Sequence, residues 1–267
     1  MSNPLFIPGD LAPITYTASA SPQAGYPLTN LKTYDFRDYL LGPSNTTDFH
    51  LDFDFSAAFT PNAIVLHNIN SGSFGQNIQI RLRYDNNDNG AYSAVTDVLV
   101  KEANDFNGAD PKLFTFTGSS KRYWRLTWDK NGDTFAPKAG NIFLRKAFDF
   151  GPYELPAKIK NEKFSVNRAE ALDGTLRRTN LFGGRPTWEV EFKLLSDTQK
   201  ADFWLFVSKV VGPGYGFYYS DPSGALYYCY FDIDYMPVTE RMYNLNDTGA
   251  LRFTAFLPRN LDNVLTW

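Results

Sequence analysis

Residues 49–55, FHLDFDF, alternate without a break. Phe49, Leu51, Phe53 and Phe55 fall on one side of an extended chain, and His50, Asp52 and Asp54 on the other. A helix would scatter these rings around its circumference, so the segment dictates a strand with one buried face. The same period of two recurs at 77–84 (NIQIRLRY, with Ile78, Ile80, Leu82 and Tyr84 inward), 91–100 and 112–118. In KRYWRLTWDKNG (121–132), cations and aromatics crowd together and suggest a basic binding surface until they are sorted by parity. Trp124, Leu126 and Trp128 then share one face, Tyr123, Arg125 and Thr127 the other, and 129–132 carries the turn residues that end a strand. The apolar run 62–70 suits a more buried strand, and 140–148 closes the series. With 16% aromatic residues and no long helical period before residue 190, the first half predicts an antiparallel β-sandwich or jelly roll.

Gly151, Pro152 and Pro156 cluster where this texture changes and mark a linker. They divide the chain into domains 1–150 and 151–267. The second is expected to hold strands at 159–172, 185–195, 216–221, 226–235 and 250–259, with a long Gly/Arg-rich connection at 172–186. One helix is predicted at 196–211: Ser196 caps it, Asp197 favours its dipole, Phe203, Trp204, Phe206, Val207 and Val210 form its apolar face, and Gly212–Pro213 stops it.

The chemistry-bearing residues are sparse. The net charge of −3 argues against nucleic acid, whose binding draws most of its affinity from phosphate neutralisation. The single cysteine, Cys229, allows no intrachain disulfide and reads as a strand core residue. The opening MSNPLFIPGDLAP lacks the basic start and apolar run of a signal peptide, and no stretch is apolar enough to span a bilayer. Synthesis and folding in a cytosol are therefore expected. His50 and His67 both lie in strand patterns, away from any nucleophile elbow. Asp52/Asp54 and Asp232/Asp234 are neighbours on one strand face, not carboxylates facing each other across a cleft. GPGYGF (212–217) follows a helix instead of preceding one, so it offers phosphate no helix N-terminus. No catalytic set emerges, and the chain is read as a non-enzyme. DNNDNG (85–90) is the one metal-like motif: Asp85, Asn87 and Asn89 stand at the oxygen-ligand positions of a calcium loop, with Gly90 at the turn. Its twelfth position is Thr96 in place of the bidentate Glu, so a plain hairpin loop fits as well. DKNGD (129–133) is a shorter variant. LRRTNLFGGR (176–185) sets three arginines beside glycines, which fits an exposed loop or an arm contacting another subunit.

YPLTNL (26–31), NAIVLHNINSGSFGQNIQIRLRY (62–84), SKRYWRLTWDKNG (119–132) and GNIFLRKAF (140–148) together resemble the galactose-binding-like jelly rolls over about residues 10–150. The second half, through KFSVNRAEALDGTLRRTNLFGGRPTWEVEFKLLS, the helix segment and GFYYSDPSGALYYCYFDID, resembles tail-tube-like and distal-tail modules of long-tailed phages. That likeness implies a C-terminal β-sandwich or barrel with one flanking helix. It further implies a non-enzymatic virion component of the tail tip or baseplate, assembling with copies of itself into a ring, hexameric or trimeric, beside tube, tape-measure and hub proteins. Its contact residues would come from 172–186 and 239–249: Arg177, Arg178, Phe182, Arg185, Arg241 and Tyr243. The jelly-roll likeness implies an alternative, a carbohydrate-binding module that grips a host-surface glycan. Calcium at Asp85, Asn87 and Asn89 is the one cofactor considered.

Overall fold

The computed structural model describes residues 3–9, 15–32, 38–69, 78–106, 111–152, 161–170, 176–193, 195–210, 215–231, 238–240, 246–248 and 251–255; for 103–104, 161–170, 176–185, 238–240 and 246–247 it describes the backbone alone. In chain order the strands are β1 (Leu5–Pro8), β2 (Thr15–Ala18), β3 (Leu40–Leu41), β4 (Phe49–Phe59), β5 (Ala63–Leu66), β6 (Gln79–Asp85), β7 (Val95–Glu102), β8 (Lys112–Thr115) and β9 (Lys121–Asp129). There follow β10 (Lys138–Ala139), β11 (Ile142–Arg145), β12 (Asn161–Glu170), β13 (Leu176–Val190), helix α1 (Asp197–Val210), β14 (Phe217–Ser220), β15 (Leu226–Phe231), β16 (Val238–Glu240), β17 (Asn246–Thr248) and β18 (Leu251–Ala255). The chain is mainly β, as its alternation predicts.

It folds as two compact units, one of Leu11–Ala147 and one of Met1–Asp10 with Phe148–Trp267. In the first, a five-stranded sheet of order β2-β4-β9-β6-β7 and a three-stranded sheet of order β11-β5-β8 enclose one core. Every pairing in both sheets is antiparallel. Of the inward set read from parity, Phe49, Leu51 and Phe53 of β4, Ile78 just before β6, Ile80 and Leu82 of β6, and Trp124, Leu126 and Trp128 of β9 are buried, while Phe55 and Tyr84 pack half-buried against this core; Thr127, read as outward, is buried as well. Eight strands in two antiparallel sheets make a jelly-roll sandwich.

The second unit begins earlier than the linker-based boundary implies. β1 pairs with β14, Leu5 opposite Ser220 through Pro8 opposite Phe217, and so becomes an edge of the six-stranded sheet β1-β14-β15-β18-β13-β12. Phe6 and Phe148 exchange backbone hydrogen bonds at 3.0 and 2.8 Å. The jelly roll is therefore an insertion between β1 and the rest of its own sheet. No local signal marks this, because LFIP is too short to show a period and its partner lies over two hundred residues away.

α1 packs its Phe203, Phe206, Val207 and Val210 into the aromatic core of this sheet, at the i, i+3, i+4, i+7 spacing of one helix face. Trp204, expected in that face, lies outside it and is 42% exposed, beside Leu205 at 45%. The helix starts with a capping box. Ser196 Oγ accepts from Gln199 N at 3.3 Å, and Ser196 N donates to Gln199 Oε1 at 3.0 Å. Among the described residues this unit holds the six-stranded sheet with α1 packed on it and a separate β16–β17 pair, a mainly β fold with one flanking helix as expected.

The segment 172–186 is also different from its expectation as a loop. Most of it is strand: β13 runs from residue 176 and pairs with β12 from Glu170↔Leu176 to Asn161↔Thr187. Two register shifts, between Lys163 and Ser165 and between Ser165 and Val166, absorb Gly183–Gly184 and Leu181 as bulges. Glycines that suggest a flexible connection are here the means of bending a ribbon.

Phe6 anchors the added strand. Its ring lies 5.2–6.0 Å from those of Phe150, Phe192, Phe206, Phe217, Tyr219 and Phe253. Phe6→Ala should cost about 3–5 kcal/mol. A lowered urea midpoint for the 148–267 unit, with the jelly-roll transition unmoved, is the expected result.

Candidate functional site

The outward face of the five-stranded sheet gathers the charges that alternation set opposite the core. Arg125 grips Asp52 with two hydrogen bonds, Nε–Oδ1 at 2.5 Å and Nη2–Oδ2 at 2.9 Å. Arg122 grips Asp54 in the same way, at 2.6 and 2.7 Å. Arg81 bridges Asp97 and Asp129, and Arg83 also reaches Asp97. Tyr92 lies over the Arg125 guanidinium at 4.0 Å and donates its hydroxyl to Trp124 O at 2.7 Å. Four arginines thus face four carboxylates, Arg122 and Arg125 in bidentate pairs and Arg81 and Arg83 through single contacts, so that each charge is answered within the sheet. The Arg122 hydrogen bonds hold Asp54 below the usual carboxylate range against its partial burial. This face supplies no surplus of positive charge for a polyanion.

The calcium-like motif is built the opposite way round. Asp85 is buried, and its Oδ1 accepts from Asn87 N at 3.1 Å while Oδ2 accepts from Asn89 N at 3.1 Å, Gly90 N at 2.8 Å and Tyr92 N at 3.4 Å. Burial raises its pKa, but these backbone donors outweigh it and hold the carboxyl below its ordinary value. Asn87 donates its amide to Ser93 Oγ, and Asn89 Oδ1 accepts from Ala91 N. Donors therefore converge on a central anion, where a calcium loop converges acceptors on a cation. Asp88, with φ of 53°, accepts from Arg122 N at 2.7 Å and seats the loop on the start of β9. Among the described residues, no three His, Cys, Asp or Glu side chains gather to hold a metal ion.

His50 is half-buried on the charged face, 4.0 Å from Asp52, and burial followed by Arg125 lowers its pKa. His67 is buried beside Phe143, and burial alone drives its pKa down to about 3. Cys229 is buried within β15, which pushes its thiol well above the usual range and makes it unreactive. Asp232, Asp234, Arg241 and Tyr243 lie outside the described residues.

Two surfaces remain. At the β3–β10 end of the jelly roll, Tyr26 and Tyr39 stack at 4.8 Å with 23° between their planes, and Lys138 Nζ stands 4.2 Å from the Tyr39 centroid. All three are half-buried, and residue type alone did not distinguish them from core aromatics. The other is the β12–β13 ribbon. β13 pairs with β18 only at Thr187–Val190, so over 176–186 its strand partner among the described residues is β12 alone. Arg177, Arg178, Phe182 and Arg185 all belong to this stretch. Its register sets like charges opposite one another, Arg178 with Arg168 and Arg185 with Lys163. No helix among the described residues is long and apolar enough to cross a membrane.

No family model matches the sequence and no curated protein does. Among solved structures, a chitosan-binding module from a Paenibacillus sp. IK-5 chitosanase/glucanase is 16% identical over 50% of this chain and 95% of its own, with a TM-score of 0.41. A family 32 carbohydrate-binding module of AlyQ, solved with 4,5-unsaturated mannuronic acid, is 18% identical over 48% and 91%, with a TM-score of 0.37. The family 32 module of Clostridium perfringens NanJ, solved with galactose, is 14% identical over 48% and 90%, with a TM-score of 0.39.

The depressed pKa of His67 has a consequence for acid stability. Between its ordinary 6.5 and about 3 the unfolded chain binds a proton that the folded one refuses. The stabilisation is complete above pH 6.5 and declines as the pH falls, by up to about 1.4 kcal/mol per pH unit. Urea midpoints measured from pH 7 to 4 should show that slope, and His67→Phe should flatten it.

Proposed function

We propose that this chain is a non-enzymatic structural protein that assembles with copies of itself through the β12–β13 ribbon and carries its jelly roll as an inserted appendage. The observation that carries this reading is that over residues 176–186 β13 has, among the described residues, no strand partner but β12. A two-stranded ribbon of roughly 30 Å is at best marginally stable in water, and like charges opposite one another weaken it further. It needs an external partner. Residues 161–187 hold five basic side chains and three acidic ones in a chain of net charge −3, so a second copy is a complementary partner. The resemblance to distal-tail modules suggests the setting: a ring at the tail tip of a long-tailed phage, in contact with neighbouring tail proteins. The proposal includes no cofactor, no nucleic acid and no membrane insertion.

Replacing residues 164–184 by Asn-Gly should leave the six-stranded sheet folded and remove self-association, as read by light scattering coupled to size exclusion and by chemical cross-linking. A shortened chain that assembles as the full one does would refute the role of the ribbon. Absence of the chain from purified virions by mass spectrometry would refute the setting.

A second reading rests on the Tyr26–Tyr39 stack with Lys138 beside it. Aromatic faces bind sugar C–H faces, and a lysine donates to hydroxyls, so this end of the jelly roll is suited to a host-surface glycan. Glycan-array binding by the full chain that falls at least about tenfold in Tyr39→Ala, roughly 1.4 kcal/mol, is the expected outcome. A silent array would remove this reading and leave the first one standing.

A further inference from the structure

The turn at 129–133 holds a lysine, a residue type that ordinarily keeps its charge in solvent. Lys130 is instead fully buried, at 0% exposure. Its ammonium donates to Pro43 O at 3.1 Å, Asn45 O at 2.9 Å and Asn45 Oδ1 at 2.9 Å. An ammonium has three N–H donors, and here each has an acceptor. The Phe135 ring closes another side, its centroid 5.3 Å from Nζ. Asp48 does not touch the ammonium; its Oδ1 accepts from the Lys130 backbone N at 2.8 Å. The cage is held from both sides. Gly42 N donates to Pro137 O at 2.7 Å, β3 pairs with β10, and Asn45 bridges to Phe135.

We propose that this oxygen-lined hole is a monovalent-cation site that the chain fills with its own tethered ammonium, and that this cation closes the 43–48 turn over the end of β9. The donor set argues for the class of ion. All three oxygens are uncharged carbonyls, and they stand 2.9–3.1 Å from the nitrogen. Calcium requires six to eight oxygens at about 2.3–2.6 Å, carboxylates usually among them, whereas carbonyl rings of this kind accept potassium-sized ions. Leaving such oxygens buried without a cation costs the desolvation of each. Burial lowers the pKa of Lys130 and Asp48 opposes it, and the three oxygen acceptors take the place of water around the ammonium.

The test is to remove the tether and return the ion. In the full chain, Lys130→Ala should lower the Tm of the jelly roll by roughly 5–10 °C. n-Propylammonium chloride replaces the deleted atoms from Cγ to Nζ. It should restore at least half of that loss, and potassium chloride part of it. n-Propanol, calcium chloride and tetramethylammonium chloride at equal ionic strength should not. Lys130→Met, which fills the hole without charge, should be destabilised and should not respond to any of them. A Lys130→Ala protein as stable as the parent, or one stabilised equally by every salt, would overturn the proposal. Should neither variant fold, acetylation of the unaltered native chain followed by mass spectrometry decides. Protection of Lys130 relative to the exposed Lys32 by about a hundredfold or more supports a sealed ammonium, and equal labelling refutes it.

Discussion

The second unit depends on one short strand. Phe6 places a single ring among six others, and the Phe6–Phe148 backbone pair joins the point where the chain leaves this sheet to the point where it returns. That closure allows an entire jelly roll to be inserted without disturbing its host. Gly216 belongs to the same arrangement. A Cβ there would stand 2.5 Å from the Tyr228 ring, so only glycine lets the chain pass into β14 beneath that tyrosine.

On the jelly roll each arginine of the outer sheet face finds a carboxylate across the strands. Register alone does not achieve this. It sets Asp52 opposite Arg125, but it also sets Arg83 opposite Arg125. That repulsion is answered because Asp97 of β7 and Asp52 of β4 reach in from the flanking strands. The ribbon has a like-charge register of the same kind, Arg178 opposite Arg168, and over 176–186 β13 has β12 alone as its strand partner among the described residues.

Two loops that look alike in sequence turn out to be electrostatic opposites. DNNDNG wraps backbone N–H groups around the Asp85 carboxylate, and the turn containing DKNGD sends Lys130 into a cage of carbonyls. Each is closed by one buried charge of its own, an anion in the first and a cation in the second. Neither places its side-chain oxygens around an empty centre. Asn and Asp in such turns serve the backbone first, since their short side chains reach N–H groups two to five residues away.

Much of the jelly roll was legible because its strands alternate: the burial of Trp124, Leu126 and Trp128 and the outward placement of the half-buried Arg/Asp face follow from a side-chain period of two. The helix was equally legible, from its Ser196 cap to Val210, although Trp204 showed that apolar character does not by itself assign a side chain to the buried stripe. The candidate sites were less so, since the β3–β10 pair that sets Lys138 beside Tyr39 joins segments about a hundred residues apart. By itself the sequence determined the fold class, the parity of β4, β6 and β9 and the lack of a recognisable catalytic motif, all consequences of local periodicity and residue chemistry. Only the tertiary structure decided that β1 belongs to the C-terminal sheet, that 176–186 is a ribbon and that Lys130 is buried. Those outcomes rest on pairings between distant segments, whose energy comes from contacts that no window of the chain contains.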